Sequence, residues 1–365
     1  MVIGIFYRKE LKEYDFGQGH PFRGKRFEIF VNFLKKTLPE DNYKLLEAEL
    51  ANDEDLSLIC EREYIEFTKN YFEAVSSGKS YDGKFYLFHS EDNKPIGRPG
   101  KLEKAARLII GQAKMAADLI QEGKFKKLVS IGGGMHHAKP NYGEGFCIYN
   151  DVAFAAKYLI EKYKLKRILI LDTDAHAGNG TMEYFYEDGR VLFIDIHQDP
   201  RTLYPGTGFA NQIGKGKGEG FIVNIPLPQF VGDSSYKIVF EEIVEPLAKE
   251  FKPQIVIRNG GSDPHFADTL SQLGLTTSGL EMIGKKVREI SEICGGKVID
   301  MIASGYNEEI LPIAWLALIS GLAGWEIRFE EPYAKFKEVP RQIEKTKEII
   351  EEVRKNLKNY WKCFR

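Results

Sequence analysis

The sequence predicts an α/β protein built on one parallel sheet covered on both faces, and three observations predict it. Short runs rich in β-branched and apolar residues alternate with helical patterns along the chain. Several of these runs are almost continuously apolar, as strands are when helices cover both faces of a parallel sheet. Neither a low-complexity linker nor an internal repeat interrupts the 365 residues, so a single domain over 1–365 is expected.

Strands are expected at residues 2–7, 43–48, 128–131, 167–171, 191–196, 221–225, 255–257 and 298–303. Amphipathic helical patterns cover 101–121, 151–164, 236–250 and 279–293. The tail over 338–361 reads as a charged amphipathic helix, packed on or beside the domain as a solvated outer element. The segment 206–218 is rich in Gly and Lys, but five residues lie between Gly208 and Gly214 where a phosphate loop has four, and no Ser or Thr follows Lys215. It reads as a surface turn.

Composition excludes several classes. Hydrophobic residues make up 43% and charged residues 28%, as in soluble globular proteins. A net charge of −2 gives no bulk attraction to nucleic acid, and no direct nucleic-acid partner is expected. Four scattered cysteines lack a C-x-x-C pair, which fits a reducing cytoplasm. Residues 1–7 show no basic leader or cleavage signal and read as the first strand, so neither secretion nor a membrane is expected.

Chemistry concentrates at the predicted strand ends, where open parallel sheets place their ligands. After the strand at 167–171 comes Asp172-Thr173-Asp174-Ala175-His176-Ala177-Gly178-Asn179-Gly180. Alternate residues of a strand share a side, so Asp174 and His176 can face one divalent metal, zinc above all. Alone, the pair reads equally well as ordinary capping. Asp263, in Gly260-Gly261-Ser262-Asp263, would complete an Asp2His set that leaves coordination positions open, or would merely cap the next helix. Three glycines before Met135-His136-His137 permit a tight turn in which two imidazoles, of only seven histidines, can reach one small volume; standing alone, the pair reads as a solvated turn. Tyr306 follows the strand at 298–303 as a core aromatic or a hydroxyl donor. The loop 14–21 reads as structural.

Together these segments resemble the histone deacetylase superfamily, which includes acetoin-utilisation proteins and acetylpolyamine amidohydrolases. The matching motifs are GHP at 19–21, GGGMHHA at 132–138, GFCIYND at 145–151, DTDAHAGNG at 172–180, YPGTG at 204–208, GGSD at 260–263 and SGYN at 304–307. They occur in the family's order over roughly 1–325. The resemblance implies the arginase–deacetylase fold, an eight-stranded parallel sheet with helices on both faces, and one catalytic Zn2+ per chain. It implies Asp174, His176 and Asp263 as zinc ligands, His136 and His137 as the tandem histidines, Asp172 as partner of the first and Asn179 of the second, and Tyr306 as the hydrogen-bond donor to the reacting carbonyl. Gly145, Phe146, Tyr204 and Leu270 match the walls of a narrow substrate channel. Asp92 falls where an aspartate binds substrate backbone at the rim. The implied reaction removes an acetyl or short acyl group from an amine, protein lysine or small molecule, and releases acetate.

Four departures stand out. Ala177 replaces the second histidine of a common His-His pair. Asn179 replaces an acid found in one branch, which leaves His137 less basic. Tyr204 adds a hydroxyl where phenylalanine is usual. Asp195 stands where serine is common, near the family's structural monovalent-cation site; a carboxylate there would tighten K+ or Na+ near Asp172 and Asp195, or alter which ion binds. An acetylpolyamine deacetylase is the nearest alternative, yet Leu270 stands where polyamine-selective relatives place an acid. An arginase-type dinuclear ureohydrolase would need an aspartate where Gly178 stands. A catalytically silent acyl-amide-binding protein would have no need of so complete a catalytic set.

Overall fold

The computed structural model describes residues 2–81, 83–333 and 336–365. It contains eight strands: β1 (Ile3–Phe6), β2 (Tyr43–Leu46), β3 (Lys127–Ile131), β4 (Ile168–Asp172), β5 (Val191–Gln198), β6 (Ile222–Leu227), β7 (Ile255–Asn259) and β8 (Val298–Ile302). All eight coincide with the strands expected from the sequence. They form one parallel sheet in the order β2-β1-β3-β8-β7-β4-β5-β6. The α/β class and the eight-stranded parallel sheet are therefore as the resemblance implied.

By internal packing the chain divides into two compact units, residues 1–164 with 301–303 and residues 165–300 with 304–365. In the first unit β1 runs parallel to β2, with Ile3 opposite Tyr43, and parallel to β3, with Gly4 opposite Leu128. The helix Leu102–Gln121 buries Leu108, Ile109, Ile110 and a run of alanines. Small residues let its backbone approach its neighbours closely, and each buried leucine or isoleucine contributes roughly 1.5–3 kcal/mol. The helices Lys25–Thr37 and Arg62–Ser76 also belong to this unit, and the sequence reading had not singled them out.

In the second unit β4 lies between β7 and β5, with Asp172 opposite both Asn259 and Asp195. Every residue of β4, β5 and β7 is buried, which is why those segments read as continuous apolar runs. The helical pattern expected over 236–250 is three consecutive pieces, Asp233–Val239, a wider π turn over Phe240–Val244, and Glu245–Phe251. The C-terminal helix, Pro340–Leu357, is less solvated than its composition suggested. It buries Thr346, Ile350, Val353 and Leu357. Thr346 Oγ1 donates to Ser235 Oγ at 2.9 Å, and the Trp361 indole N–H beyond the helix donates to the Gly220 carbonyl at 2.7 Å. No helix among the described residues is long and apolar enough to cross a membrane.

Candidate metal centre and the residues around it

The metal-binding candidates all belong to the second unit. Asp172 closes β4, fully buried, and its carboxylate takes the Asn259 amide at 3.0 and 2.9 Å and the Asp174 N–H at 3.1 Å. The chain then leaves the strand. Asp174 Oδ1 accepts the His176 N–H at 2.8 Å, so the acid and the imidazole are fixed by one short loop. Asp263, four residues beyond β7, is fully buried, and its Oδ1 accepts the Ser304 hydroxyl at 2.6 Å. Ser271 donates to the Asp263 carbonyl, and the Trp315 indole N–H donates to the Ser304 carbonyl at 2.9 Å.

The result is a convergence. His176 Nδ1 lies 3.0 Å from Asp174 Oδ1 and 3.1 Å from Asp263 Oδ2. All three ligand atoms fall within 4.8 Å of one another. Ligands about 2.1 Å from a tetrahedral ion stand about 3.4 Å apart, so the donor set fits zinc in size and chemistry. Electrostatics agree. Burial works against charge on the His176 imidazole, yet hydrogen bonding to Asp174 and Asp263 overrides it and pushes the group up to about 10. Burial, then the neighbouring Asp174 carboxylate, drives Asp263 upward. Two acids this close call for a positive charge between them.

Around this cluster, Asn179 begins the helix Asn179–Phe185, buried, with its N–H on the Ala177 carbonyl at 2.8 Å. Tyr306 is held by its backbone: its N–H donates to Asp268 Oδ2 at 2.7 Å. The other oxygen of Asp268 accepts the Leu270 N–H at 2.9 Å. One half-buried acid thus holds the backbone of both the tyrosine and the leucine, a role the sequence reading missed. Leu270 and Tyr204 keep substantial exposure.

The first unit carries the histidine pair. Both rings are buried, with His136 Nε2 and His137 Nε2 3.1 Å apart, so one nitrogen donates to the other. The turn that holds them hangs from Asp151, whose carboxylate accepts the Gly134 N–H at 2.9 Å and the Met135 N–H at 2.8 Å. Burial pushes Asp151 up to about 6, although these backbone donors and the nearby His136 pull the other way. Asn150 adds a second tie, donating to the Ala138 carbonyl at 3.0 Å while capping the helix Asp151–Tyr163. Both residues stand in the GFCIYND motif, but nothing in the sequence said which N–H groups they would meet.

Gly145 has φ +60°, and a Cβ there would lie 2.2 Å from His137 Cδ2, so the imidazole packs directly on its Cα. Asp92 Oδ2 accepts the Gly145 N–H at 3.1 Å, and Ser90 donates to the other oxygen. Asp92 is therefore brought to the Gly145 turn. Phe146, at φ 64°, packs edge-on against the His20 ring, with centroids 4.7 Å apart. The loop that carries GHP gains a role this way. His20 Nδ1 accepts the Phe22 N–H, its Nε2 donates to the Asp92 carbonyl, and the Tyr14 hydroxyl donates to the Phe146 carbonyl. The loop is the footing of the 145–146 turn.

Fold and donor set together define an α/β protein with a candidate Asp2His metal site at the carboxyl ends of neighbouring parallel strands. The chain belongs to the histone deacetylase domain family, whose pattern matches residues 20–322. It is 36% identical to a probable deacetylase of Archaeoglobus fulgidus, with all of both chains covered. It is 34% identical to the acetoin utilization protein AcuC of Staphylococcus xylosus, covering 88% of this chain and 83% of that one. The crystal structure of the HDA15 HD domain has the same fold, with a TM-score of 0.82 and 24% identity over 100% of this chain and 97% of the other.

Proposed function

We propose that this protein is a zinc-dependent amidohydrolase that removes an acetyl or short acyl group from an amine and releases acetate. The observation that carries the reading is the convergence of Asp174, His176 and Asp263 in a chain of this family. Bound zinc would supply Lewis acidity toward the amide carbonyl and would acidify a water molecule. The rest falls to this chain's own side chains. His137 takes the proton from the attacking water as general base. His136 carries positive charge and delivers a proton to the leaving nitrogen. Asp172 and Asn179 set the charge of these imidazoles, the acid favouring imidazolium more than the amide does. The Tyr306 hydroxyl donates to the oxygen that becomes an oxyanion as water adds.

For the substrate, we propose an acetyl-lysine-like or other monocationic amine in preference to a polyamine. Asp268 is the sole acid between residues 264 and 275, and its carboxylate is turned to the Leu270 and Tyr306 N–H groups. A second ammonium would find only the apolar Leu270 side chain there. Metal analysis joined to acetate release over acetyl-peptides, acetylpolyamines and small acetamides tests both halves. Zinc with turnover of acetyl-lysine peptides is expected. A metal-free protein that cannot be reconstituted would end the hydrolase reading, and preferential turnover of polyamines would end the substrate reading.

A further inference from the structure

Two loops of the second unit meet beside the candidate metal ligands and are laced together by hydrogen bonds. One follows β7 and covers residues 262–270; the other follows β8 and covers residues 304–307. At the inner end the Ser262 N–H donates to the Ser304 carbonyl at 3.0 Å, and the Ser304 hydroxyl donates to Asp263 Oδ1 at 2.6 Å. Gly305 has φ +125°, and a Cβ there would overlap Ser262 Oγ, so the loops touch closely at this point. At the outer end further bonds cross between them. The Tyr306 N–H donates to Asp268 Oδ2 at 2.7 Å, the Asn307 amide donates to the Ala267 carbonyl at 2.8 Å, and the Thr269 hydroxyl donates to the Tyr306 carbonyl at 3.3 Å.

Asp268 is the residue whose chemistry this lacing requires. Its Oδ1 accepts the Leu270 N–H two residues on, a local turn closure that asparagine or serine would serve as well. Its Oδ2 reaches the second loop. A carboxylate accepts at both oxygens, whereas an amide must turn donors toward one of the two N–H groups. Asn307 acts beside it: its amide also donates to the Tyr333 hydroxyl at 3.0 Å, while its Oδ1 accepts the Glu309 N–H at 3.0 Å.

We propose that Asp268 is a positioning residue which, with Asn307, clamps the backbone of Tyr306 to the loop that carries Asp263, so that the phenol departs from one fixed backbone before any substrate arrives. Ordering a residue's backbone costs roughly 1–2 kcal/mol, and here folding rather than substrate binding meets that cost. A hydrogen-bond donor to a developing oxyanion is effective to the extent that it is already in place.

The effect of the clamp on turnover rests on the proposed amidohydrolase function; the clamp itself does not. Two measurements separate them. In the first, kcat and KM for an acetyl-lysine peptide, zinc content and thermal stability are compared for the natural protein, Asp268→Asn, Tyr306→Phe and the double variant. Asp268→Asn should retain zinc and lower kcat about 10- to 100-fold, with KM changed by less than about threefold. In the Tyr306→Phe background the same substitution should lower kcat by less than about threefold, because the hydroxyl it positions is gone. Losses that multiply overturn the proposal, since Asp268 would then act apart from Tyr306.

In the second, the whole protein carries fluorotyrosine, and the Tyr306 fluorine line is assigned by its loss in Tyr306→Phe. One narrow line is expected for the natural chain without substrate, and a shifted, broadened or split line for Asp268→Asn. A natural line that is already split, or a line that the substitution leaves unchanged, overturns the clamp whatever the turnover. A protein that releases no acetate but whose Tyr306 line responds as expected supports the clamp and counts against the amidohydrolase reading. Should Asp268→Asn fail to fold, Asn307→Asp serves in its place. It keeps the acceptor for the Glu309 N–H and loses the amide donor to Ala267, so the same disturbance of the line is expected and an unchanged line again overturns the clamp.

Discussion

The two site-bearing segments are held by opposite means. In the second unit, Asp174, His176 and Asp263 crowd charge against charge, and side chains fix one another. In the first, His136 and His137 ride on a glycine-rich turn whose backbone N–H groups are gathered by one buried acid, Asp151. A cluster of charges needs a cation and can be read from residue types. A turn suspended from a carboxylate needs the right N–H groups in the right place, and residue types alone do not reveal it. The first arrangement suits ion binding, the second suits fixing the place of two rings through the backbone that carries them.

The largest effect should come from breaking the charged cluster. Asp263→Asn should reduce bound zinc to a small fraction and turnover by about 1,000-fold or more, read by metal analysis and acetate release. Next, Tyr306→Phe should keep full zinc and lose roughly 100- to 1,000-fold in kcat, because only the donor to the developing oxyanion is gone. An unchanged rate would remove Tyr306 from the mechanism.

Asp151→Asn should then separate the two segments: zinc retained, stability at neutral pH changed by about 1–3 kcal/mol, and kcat reduced with little change in metal content. Its sign with pH is distinctive. The folded-state pKa, about 6, is raised above 3.8, so this residue's contribution to stability is fully present below pH 3.8 and is lost as pH rises through 6. Denaturant unfolding should show a slope of about 1.4 kcal/mol per pH unit between these values that disappears in the variant. The smallest effect is expected at Asp92→Ala, which frees the Gly145 N–H and should impair peptide substrates more than small amides. Equal loss on both would refute a role at the rim.

The strands other than the partly exposed β2 were legible because a strand buried on both faces leaves an apolar run that few other structures require. The helix Leu311–Ala323 escaped for a related reason. It is buried nearly all round, so no polar stripe marks its period. The C-terminal helix was seen but misjudged, since a charged amphipathic helix has the same sequence pattern whether its apolar seam is docked or bare. Trp361 was the residue that could have signalled docking. Among site residues, Asp174 and His176 were singled out by their alternate spacing and Asp263 by its place after another strand, and only the family resemblance joined the three as a ligand set. Asp268, Asp151 and Ser304 were not, because each acts by meeting hydrogen-bonding partners that only folding brings near.

Gly145 carries a consequence for how such a protein can diversify. Its Cα is the surface on which the His137 ring rests, so any larger residue would shift that imidazole. Under the proposed function, the Gly145 turn is closed to variation by the imidazole behind it. Under the same proposal, new substrate preferences are expected at Tyr204 and Leu270, whose side chains reach solvent and have room to change size or polarity.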